Sequence, residues 1–375
     1  MATRPDIVIN GKFLSVPMTG VHRVALELTN ALAEISAERE LPEVEVWLPE
    51  DGTARATLIR LPTRVKRPLR RIPWEQITLP VAAGDRLILN LCNIGPILSR
   101  NAITMIHDAQ VHIARHSYSR GFRLWYKFVQ PIIARRHRHI LTVSEFSRRQ
   151  LITAGLGTPD KVSVVHNGVD HVLAVKAEPE LIDQLGLQER GFVVALASMQ
   201  PHKNIPLLIS AFEKSALAHL KLVLIGDSDA AAFAEMAETL PRNVIVTGRI
   251  SDGALRALYE AALCVAFPST TEGFGLPPVE AMRVGCPAIV APCGALPEVC
   301  GDAAIYADPT SAQAWTDTIL ALSQDAERWQ AASEAGKAQA ARFTWRAAAE
   351  QLLTVLATQP IMADIPPARM AHAPA

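Results

Sequence analysis

The sequence has no excess of charge of either sign and few cysteines, and each shortage excludes a class of protein. Lysine plus arginine and aspartate plus glutamate each number 37, so the composition does not indicate a nucleic-acid partner. The five cysteines are an odd number and no two have C-x2-C spacing, which argues against a disulfide framework and a zinc site. Cys286, Cys293 and Cys300 recur every seven residues, wider than metal-ligand spacing, and we predict reduced, buried thiols.

Long hydrophobic runs are also absent. No apolar run is long enough to span a bilayer, and the opening MATRPDIVIN lacks the apolar core of a signal peptide. We therefore expect a cytoplasmic protein. A chain of 375 residues with 49% hydrophobic content is too long for one ordinary core, and it fits two domains of roughly 170 residues each.

Short apolar segments alternate with amphipathic ones along the chain, a pattern typical of βα units and parallel sheets. One series begins at PDIVIN and a second at GFVVALAS. Ser144 and Ser251 stand where each can cap the helix that follows. We predict an α/β chain of two Rossmann-like domains with a cleft between them. The predicted segments are a first domain over 1–172, a second over 173–345, a helix over 346–360 that can cross back to the first domain, and a disordered tail over 361–375.

Residues 269–285, STTEGFGLPPVEAMRVG, follow an apolar strand and lead into a helix. Pro277 suits a first helical turn, so the helix should begin near Leu276, and Gly285 supplies its end. The loop at 273–275, Gly-Phe-Gly, then presents backbone N–H groups at a helix N-terminus. Together with the helix dipole, these donors predict an anion site suited to phosphate.

Two glutamates flank this loop. Glu272 precedes it, and Glu280, eight positions later, should lie in the first helical turn. Carboxylates repel phosphate, but they accept hydrogen bonds well from the vicinal hydroxyls of a sugar. A nucleotide-sugar, with a diphosphate in the middle and a sugar at each end, would satisfy every group. The alternative is a capped helix with two solvated glutamates.

The segment EGFGLPPVEAMRVGCPAI resembles the E-x7-E signature of the GT-B retaining glycosyltransferases of family 4. The resemblance covers nearly the whole chain, from about residue 5 to residue 357, and its N-terminal segments are typical of a polysaccharide-assembly, mannosyltransferase-like subgroup. It implies two Rossmann-like parallel-sheet domains that face each other across a cleft. The other matching segments are MTGVHRVALEL, PWEQITLP, TMIHDAQ, TVSEFSRRQL, HNGVD, MQPHKN, TGRISDGALRALYEAA and ALPEVCGDAA.

The resemblance also implies roles for individual residues. Glu280 would hold the ribose hydroxyls and Glu272 the hydroxyls of the transferred sugar. Lys203 would neutralise the diphosphate, and His107 would face the sugar near the reacting carbon. The catalytic candidates are thus His107, Lys203 and Glu272. The remaining donor-binding candidates are Gly20 near the phosphate or acceptor, Ser198, Gly248, Arg249 and Ile250 beside the base, and Gly273, Phe274, Gly275 and Leu276 along the sugar and diphosphate.

Each assignment has an ordinary alternative. Lys203 can be a solvated lysine, His107 a hydrogen-bonded strand-end histidine, and Gly20 a turn residue. The chain could also be a nucleotide-sugar-binding or regulatory subunit without transfer activity. A dehydrogenase is a weaker reading, because the loops GKFLSVPMTG and SMQPHKN both lack G-x-G-x-x-G.

The sequence departs from the family at the leaving-group end. Ser198 stands where many relatives carry a second basic residue, and His202 stands where arginine is common. Whether Arg23 or His202 supplies the missing charge stays open. Asp227 and Asp229 match the pattern of metal-dependent transferases, but they read better as surface aspartates after a strand, so we expect no metal and no cofactor.

We predict transfer of a hexose, with mannose favoured, from a nucleotide-diphosphate sugar to a hydroxyl of a glycan or polyprenyl-diphosphate-linked acceptor in bacterial-type polysaccharide assembly, with retention. GDP-mannose is the favoured donor, before UDP-glucose and a deoxysugar donor. A peripheral contact with the inner face of the membrane is predicted from RVKRPLRRIP at 64–73 and from one helix. The alternative is a solvated charge run and a core-facing helix. That helix carries Leu124, Trp125, Phe128, Ile132 and Ile133 beside Arg135, Arg136 and Arg138.

Overall fold

The structure is a computed structural model that describes residues 6–113, 119–198, 200–226 and 240–358. The tail predicted to be disordered and the Asp227-x-Asp229 pattern lie outside these ranges. The described chain divides into two compact units, one of 6–113, 119–168 and 344–358, and the other of the described part of 169–343. Within the described ranges, no helix combines the length and the apolar character needed to cross a membrane.

The first unit is built on a seven-stranded parallel sheet in the order β3-β2-β1-β4-β5-β6-β7. Four of its strands, β1, β4, β5 and β6, are buried along their whole length, as expected for parallel strands covered on both faces. The strand order reverses between β1 and β4, which makes this pair a topological switch point. The strands are β1 Ile7–Asn10, β2 Val44–Leu48, β3 Thr63–Val65, β4 Leu87–Asn90, β5 Ala102–Met105, β6 His139–Thr142 and β7 Val162–Val164.

The second unit is built on a six-stranded parallel sheet in the order β10-β9-β8-β11-β12-β13. Its switch point lies between β8 and β11, the two strands that precede the segments 198–203 and 269–276. The two parallel sheets confirm the predicted α/β fold class. The strands are β8 Phe192–Leu196, β9 Lys221–Ile225, β10 Val244–Gly248, β11 Cys264–Phe267, β12 Ala288–Val290 and β13 Ile305–Tyr306.

Helices connect the strands in both units. Ser144 Oγ accepts from the Ser147 N–H, and Ser251 Oγ from the Ala254 N–H, so both predicted caps are confirmed. The helices of the first unit are Gly20–Glu38, Arg71–Pro73, Leu79–Ala83, Gln110–Ile113, Arg120–Arg136, Glu145–Thr153 and Trp345–Ala357, with a π-helical turn at Trp74–Thr78. Those of the second unit are His171–Ala174, Glu180–Gln184, Ile205–Phe212, Asp252–Ala261, Leu276–Arg283, Leu296–Cys300, Ala312–Gln324 and Ala326–Ala340. Short 3-10 turns lie at Gly11–Ser15, Glu50–Leu58, Pro201–Lys203, Ser215–Leu217 and Gly301–Ala303.

The last helix belongs to the first unit. Trp345–Ala357 packs against Gly20–Glu38, and Arg39 Nη2 lies 2.6 Å from Glu350 Oε2. The chain leaves the first unit at Gly168, where a Cβ would lie 2.2 Å from the backbone nitrogen of Trp345. Only glycine therefore allows the outgoing and returning segments to approach this closely.

All five cysteines are free thiols. Cys264, Cys286 and Cys300 are buried, as predicted for the last two, and burial raises the pKa of Cys300 to about 12. The prediction of a buried thiol is wrong for Cys293, which is half-buried because it lies in the loop after β12 rather than in the strand. Cys92 is also half-buried.

Candidate functional site

The helix Leu276–Arg283 begins where the sequence predicts, directly after the Gly-Phe-Gly loop. Gly275 is its N-cap with φ 93° and ψ 54°, a left-handed conformation, and no side chain caps the helix. A Cβ at Gly275 would lie 2.5 Å from Leu296 Cδ2. Pro277 and Pro278 occupy the first turn and have no N–H, so the backbone donors at this end are those of Leu276 and of the loop before it.

Glu272 and Lys203 form an ion pair at the switch point of the second sheet. Lys203 Nζ lies 2.7 Å from Glu272 Oε1, and both side chains are mostly buried. Lys203 ends the turn Pro201–Lys203 after β8, and Glu272 follows β11. The two strands are neighbours in the sheet, which is why residues 69 positions apart meet. The charges predicted to bind sugar and diphosphate therefore neutralise each other.

Backbone contacts hold this pair in place. The Thr270 N–H donates to the His202 carbonyl at 2.8 Å, which ties the loop after β11 to the turn after β8. The Ala295 N–H donates to the Glu272 carbonyl at 3.0 Å. Gly294 has φ 65°, and a Cβ there would lie 2.5 Å from the Glu272 nitrogen. Gly294 is thus a positioning residue that sequence reasoning missed, although the C-G-A-L-P segment that carries it was a visible signal.

Glu280 lies one turn deeper than predicted. It is the fifth residue of the helix, so no acidic residue stands in the first turn, and the prediction that Glu280 lies there is wrong. The helix begins at Leu276 as predicted, but a turn takes about 3.6 residues, so its fifth residue lies just beyond the first turn. Its Oε1 is 3.3 Å from His171 Nε2, and both side chains are largely buried. The two glutamates thus have different cationic or hydrogen-bonding partners, Lys203 for one and His171 for the other.

The turn after β8 has no second positive charge. Ser198 Oγ accepts from the Gln200 N–H at 3.2 Å and so shapes the turn that presents Lys203. His202 is buried, and burial first and then the Lys203 charge lower its pKa. His202 is therefore a poor candidate for the charge that the family usually has here. Arg23, the other candidate, lies in the first unit and pairs with Glu27 at 3.7 Å.

Gly248, Arg249 and Ile250 lie at the end of β10, the edge strand of the second sheet. Gly248 has φ 71°, and a Cβ there would meet nothing within 4 Å, so the conformation rather than close packing favours glycine. Arg249 is exposed and Ile250 is partly exposed. The three residues are two strands away from β8, with β9 between, on the side opposite β11.

His107 and Gly20 belong to the first unit. His107 follows β5, is 5% exposed, and its Nε2 lies 2.9 Å from the Leu91 carbonyl oxygen. A carbonyl only accepts, so Nε2 carries the proton and Nδ1 is an acceptor. Burial lowers the pKa of His107 to about 4, which keeps the ring neutral. Gly20 is exposed and is the first residue of the helix Gly20–Glu38, whereas the sequence analysis placed it in the preceding loop.

Within the described ranges, no three His, Cys, Asp or Glu side chains are grouped in a way that could hold a metal ion. The charged groups at the second switch point are instead one lysine, two glutamates and a helix N-terminus. These groups combine donors for phosphate with acceptors for hydroxyls.

Comparison with known proteins relates this chain to the glycosyltransferases. Residues 178–339 match the family model for glycosyl transferases group 1. The chain is 23% identical over 333 residues to the O-antigen chain mannosyltransferase RfbU of Salmonella typhimurium, covering 85% of this chain and 91% of the other. It is 26% identical over 364 residues to the O-antigen chain mannosyltransferase B of Escherichia coli, covering 88% and 94%.

Solved structures show the same fold. The Anabaena protein HepE in complex with UDP and glucose matches with a TM-score of 0.71 at 19% identity, over 95% of this chain and all of that one. WaaG, a glycosyltransferase involved in lipopolysaccharide biosynthesis, matches with a TM-score of 0.69 at 13% identity, over 94% and 100%. The second unit matches the family model for group 1 glycosyltransferases, and the chain as a whole is similar to the mannosyltransferases of O-antigen assembly. The predicted family resemblance is confirmed.

Proposed function

We propose that the protein transfers a hexose, with mannose favoured, from a nucleotide-diphosphate sugar to a hydroxyl of a glycan or lipid-linked oligosaccharide, with retention of configuration. The Lys203–Glu272 pair at the switch point beside the helix N-terminus carries the proposal. The mannose preference is supported by the mannosyltransferase relatives of Salmonella and Escherichia coli. GDP-mannose is therefore the first donor to test, before UDP-glucose.

The ion pair suggests an order of events at the donor site. A diphosphate near the N-terminus of Leu276–Arg283 would compete with Glu272 for the Lys203 ammonium, because phosphate carries more negative charge. The carboxylate would then be available to accept from hydroxyls of the sugar. Glu280 would accept from the ribose in the same way, in exchange for its contact with His171.

The chemical step would depend on positioning and on stabilising charge. As the bond between the anomeric carbon and the diphosphate oxygen breaks, Lys203 and the helix N-terminus would stabilise the negative charge of the leaving diphosphate. The acceptor oxygen would bond to the same face of the sugar, and its proton would pass to the departing diphosphate. The proposal involves no metal ion and no carboxylate nucleophile. His107, neutral and fixed through Nε2, stays a predicted contact of the sugar near the reacting carbon.

A thermal-shift panel of nucleotides tests the donor. Bound ligand raises the unfolding temperature by mass action, so GDP, UDP and their sugar conjugates should separate by affinity. Lys203→Ala should lower affinity for the bound nucleotide by about 10- to 100-fold, since it removes a charge-assisted contact. Lys214→Ala, which changes an exposed lysine of the same unit, is the control. An unchanged affinity in Lys203→Ala would remove this lysine from the site.

Turnover of the bound nucleotide-sugar is the second measurement. NMR follows the anomeric configuration of the product. Transfer or hydrolysis with retained configuration would support the proposed retaining glycosyltransferase. A protein that binds nucleotide-sugar tightly but neither transfers nor hydrolyses it with any acceptor would be the inactive binding subunit instead.

A further inference from the structure

A buried polar network lies at the switch point of the first sheet, and the proposed donor chemistry does not use it. Asn10 ends β1 and Asn90 ends β4. Asn10 Nδ2 donates to Asn90 Oδ1 at 2.9 Å and to Glu75 Oε1 at 2.8 Å. Asn90 Nδ2 in turn donates to Thr104 Oγ1 of β5 at 3.1 Å. Three neighbouring strands are thereby linked to one carboxylate.

Glu75 connects this network to a lysine. It is 1% exposed and lies in the π-helical turn Trp74–Thr78, which is anchored by the buried Trp74, whose Nε1 donates to the Lys66 carbonyl at 2.8 Å. The second oxygen of Glu75 accepts from the Lys12 ammonium. Lys12 stands two residues after β1, and its backbone N–H donates to Asn10 Oδ1.

Fold stability gives no reason for this arrangement. Removing a carboxylate and an ammonium from water costs about as much as their attraction returns, so an apolar pair would stabilise the sheet equally well. Single π-helical turns are also uncommon and frequently lie at functional sites. The Lys12 side chain is 20% exposed, whereas its partner carboxylate is almost fully covered. The network therefore leaves the Lys12 side chain partly exposed just after β1, at the carboxyl ends of the strands, where such sheets bind ligands.

The charge of the pair limits what this ammonium can bind. Glu75 neutralises it, so it is a weak site for a second anion, but an ammonium has three N–H donors and can still donate to uncharged oxygens. His107 belongs to the same edge of the sheet. Burial chiefly lowers the pKa values of His22 and His107, with the Lys12 charge contributing at His22 and His22 contributing at His107.

We propose that Lys12, held in orientation by Glu75, binds hydroxyl groups of an uncharged acceptor sugar. Lys12 would touch the acceptor, and Glu75 would act through Lys12 as a positioning residue. The inference rests on the proposed transfer reaction, because it places the neutral end of the acceptor in the first unit. It adds a specificity-determining pair from the segments GKFLS and PWEQITLP, in which no residue could be given a role from the sequence alone.

Calorimetric titration without donor tests the site directly. The probes are the p-nitrophenyl glycosides of mannose, glucose, galactose and N-acetylglucosamine, together with mannose 6-phosphate. The wild-type protein should bind at least one neutral glycoside more tightly than the phosphorylated sugar. Lys12→Gln should weaken that binding about tenfold, and Lys12→Arg should restore most of it. Lys12→Gln/Glu75→Gln removes both charges, so it keeps the test valid if a lone buried carboxylate unfolds the single variant.

Kinetics separate the acceptor role from a structural one. Lys12→Gln and Glu75→Gln should raise KM for the glycoside, and Lys12→Arg should raise it much less, while donor affinity and donor hydrolysis stay within about twofold of wild type. The matched control is Arg39→Gln. Arg39 is also in an ion pair, but it precedes β2 and so belongs to the amino ends of the strands, opposite to the ends that Lys12 follows. Three results each overturn the inference: no neutral glycoside binds, Lys12→Gln binds as wild type does, or the phosphorylated sugar is preferred. Failure of the proposed transfer reaction gives a different result. In that case the protein binds no nucleotide-sugar, but it still binds glycosides in a way that depends on Lys12.

Discussion

Glu272 has a double role in the protein as it stands. It accepts from Lys203 at 2.7 Å, and it is also the carboxylate expected to hold the transferred sugar. Any ligand phosphate that engages the lysine must therefore compete with a neighbouring carboxylate. This competition separates affinity for the nucleotide from recognition of the sugar, and the two can be measured independently.

Glu272→Gln should affect these two quantities in opposite directions. The amide removes the negative charge that neutralises Lys203, so affinity for a nucleoside diphosphate without sugar should stay the same or increase. The loss of a charged acceptor should weaken the sugar contact, so the gain in affinity from adding the sugar should fall about tenfold. Titration calorimetry with GDP and GDP-mannose, or with the pair that the panel selects, measures both. A parallel loss for both ligands would contradict the competition.

Buried histidines predict a pH dependence of stability. Burial lowers the pKa of both His107 and His137 to about 4, and the pKa values of His22, His139 and His202 are lowered in the same direction. Above pH 6.5 these rings are neutral in both states, so their contribution is fully present. As the pH falls from 6.5 towards 4, the unfolded chain binds protons that the folded chain does not, and stability decreases.

The expected slope is about 1.4 kcal/mol per pH unit for each of His107 and His137 across that window. Urea unfolding measured between pH 7 and pH 4.5 provides the free energy of unfolding at each pH. His107→Gln, which cannot titrate, should reduce the slope by about that amount. An identical slope in the variant would show that His107 is not held neutral.

Single residues also show the limit of the sequence analysis. Lys203 and Glu272 could each be predicted, because each stands after an apolar strand in a recognisable segment. Their contact could not, since it requires β8 and β11 to be neighbours in the sheet. Lys12 and Glu75 were missed for the same reason, and because no local pattern announces a π-helical turn.

At the scale of elements, one glycine allows the chain to come back to the first unit and form its last helix there. A Cβ at Gly168 would lie 2.2 Å from the Trp345 nitrogen and 2.6 Å from the Thr344 carbonyl carbon, and both are backbone atoms that cannot move aside cheaply. Gly168→Ala should therefore destabilise the first unit by at least about 2 kcal/mol.

Gly121→Ala is the matched control for this substitution. Gly121 lies in the helix Arg120–Arg136, where a Cβ would meet nothing within 4 Å. Alanine there should be neutral or should stabilise by up to about 1 kcal/mol, because it restricts the unfolded chain and favours helix. Urea unfolding of both variants decides the comparison. If the two alanines have the same effect, the close approach at Gly168 is not a constraint.

Element types were predictable where a local signal exists. Serine caps placed the starts of the helices after Ser144 and Ser251, and Leu276 begins its helix as the proline that follows it predicts. The prediction for Glu280 was wrong although the helix start was right, because a helix that begins at Leu276 completes its first turn of about 3.6 residues before it reaches its fifth residue.

At the scale of the whole molecule, the predicted membrane contact has to be revised before it is tested. The basic run at 64–73 is partly neutralised locally, since three of its five basic residues pair with two carboxylates: Arg64 with Glu45, and both Arg67 and Arg70 with Glu50. In the helix Arg120–Arg136, Ile133 is buried in the core, so the apolar residues predicted to contact the membrane do not all face the solvent. The charge run alone therefore offers weak support for binding to an anionic surface.

An exposed apolar surface of the first unit gives better support. Leu124 is 72% and Phe128 58% exposed, and Leu98, 69% exposed, is joined to the same helix because Arg136 Nη2 donates to its carbonyl at 3.1 Å. Lys127 is exposed between the first two. Large apolar side chains beside basic ones at a surface suit the interface of an anionic bilayer, where the apolar groups insert and the cations remain at the headgroups.

We expect the protein to bind vesicles that contain anionic lipid and to bind neutral vesicles less, with weaker binding at high salt. Leu124→Glu/Phe128→Glu should reduce the fraction that co-floats with anionic vesicles by roughly tenfold, because two inserted side chains contribute about 1.5–3 kcal/mol each and the new charges repel the surface. Leu58→Glu, at an exposed leucine on a different segment of the same unit, is the matched control and should leave flotation unchanged. Equal flotation of the double variant and wild type would exclude this surface as the membrane contact, and no salt-sensitive flotation of the wild type would exclude the contact altogether.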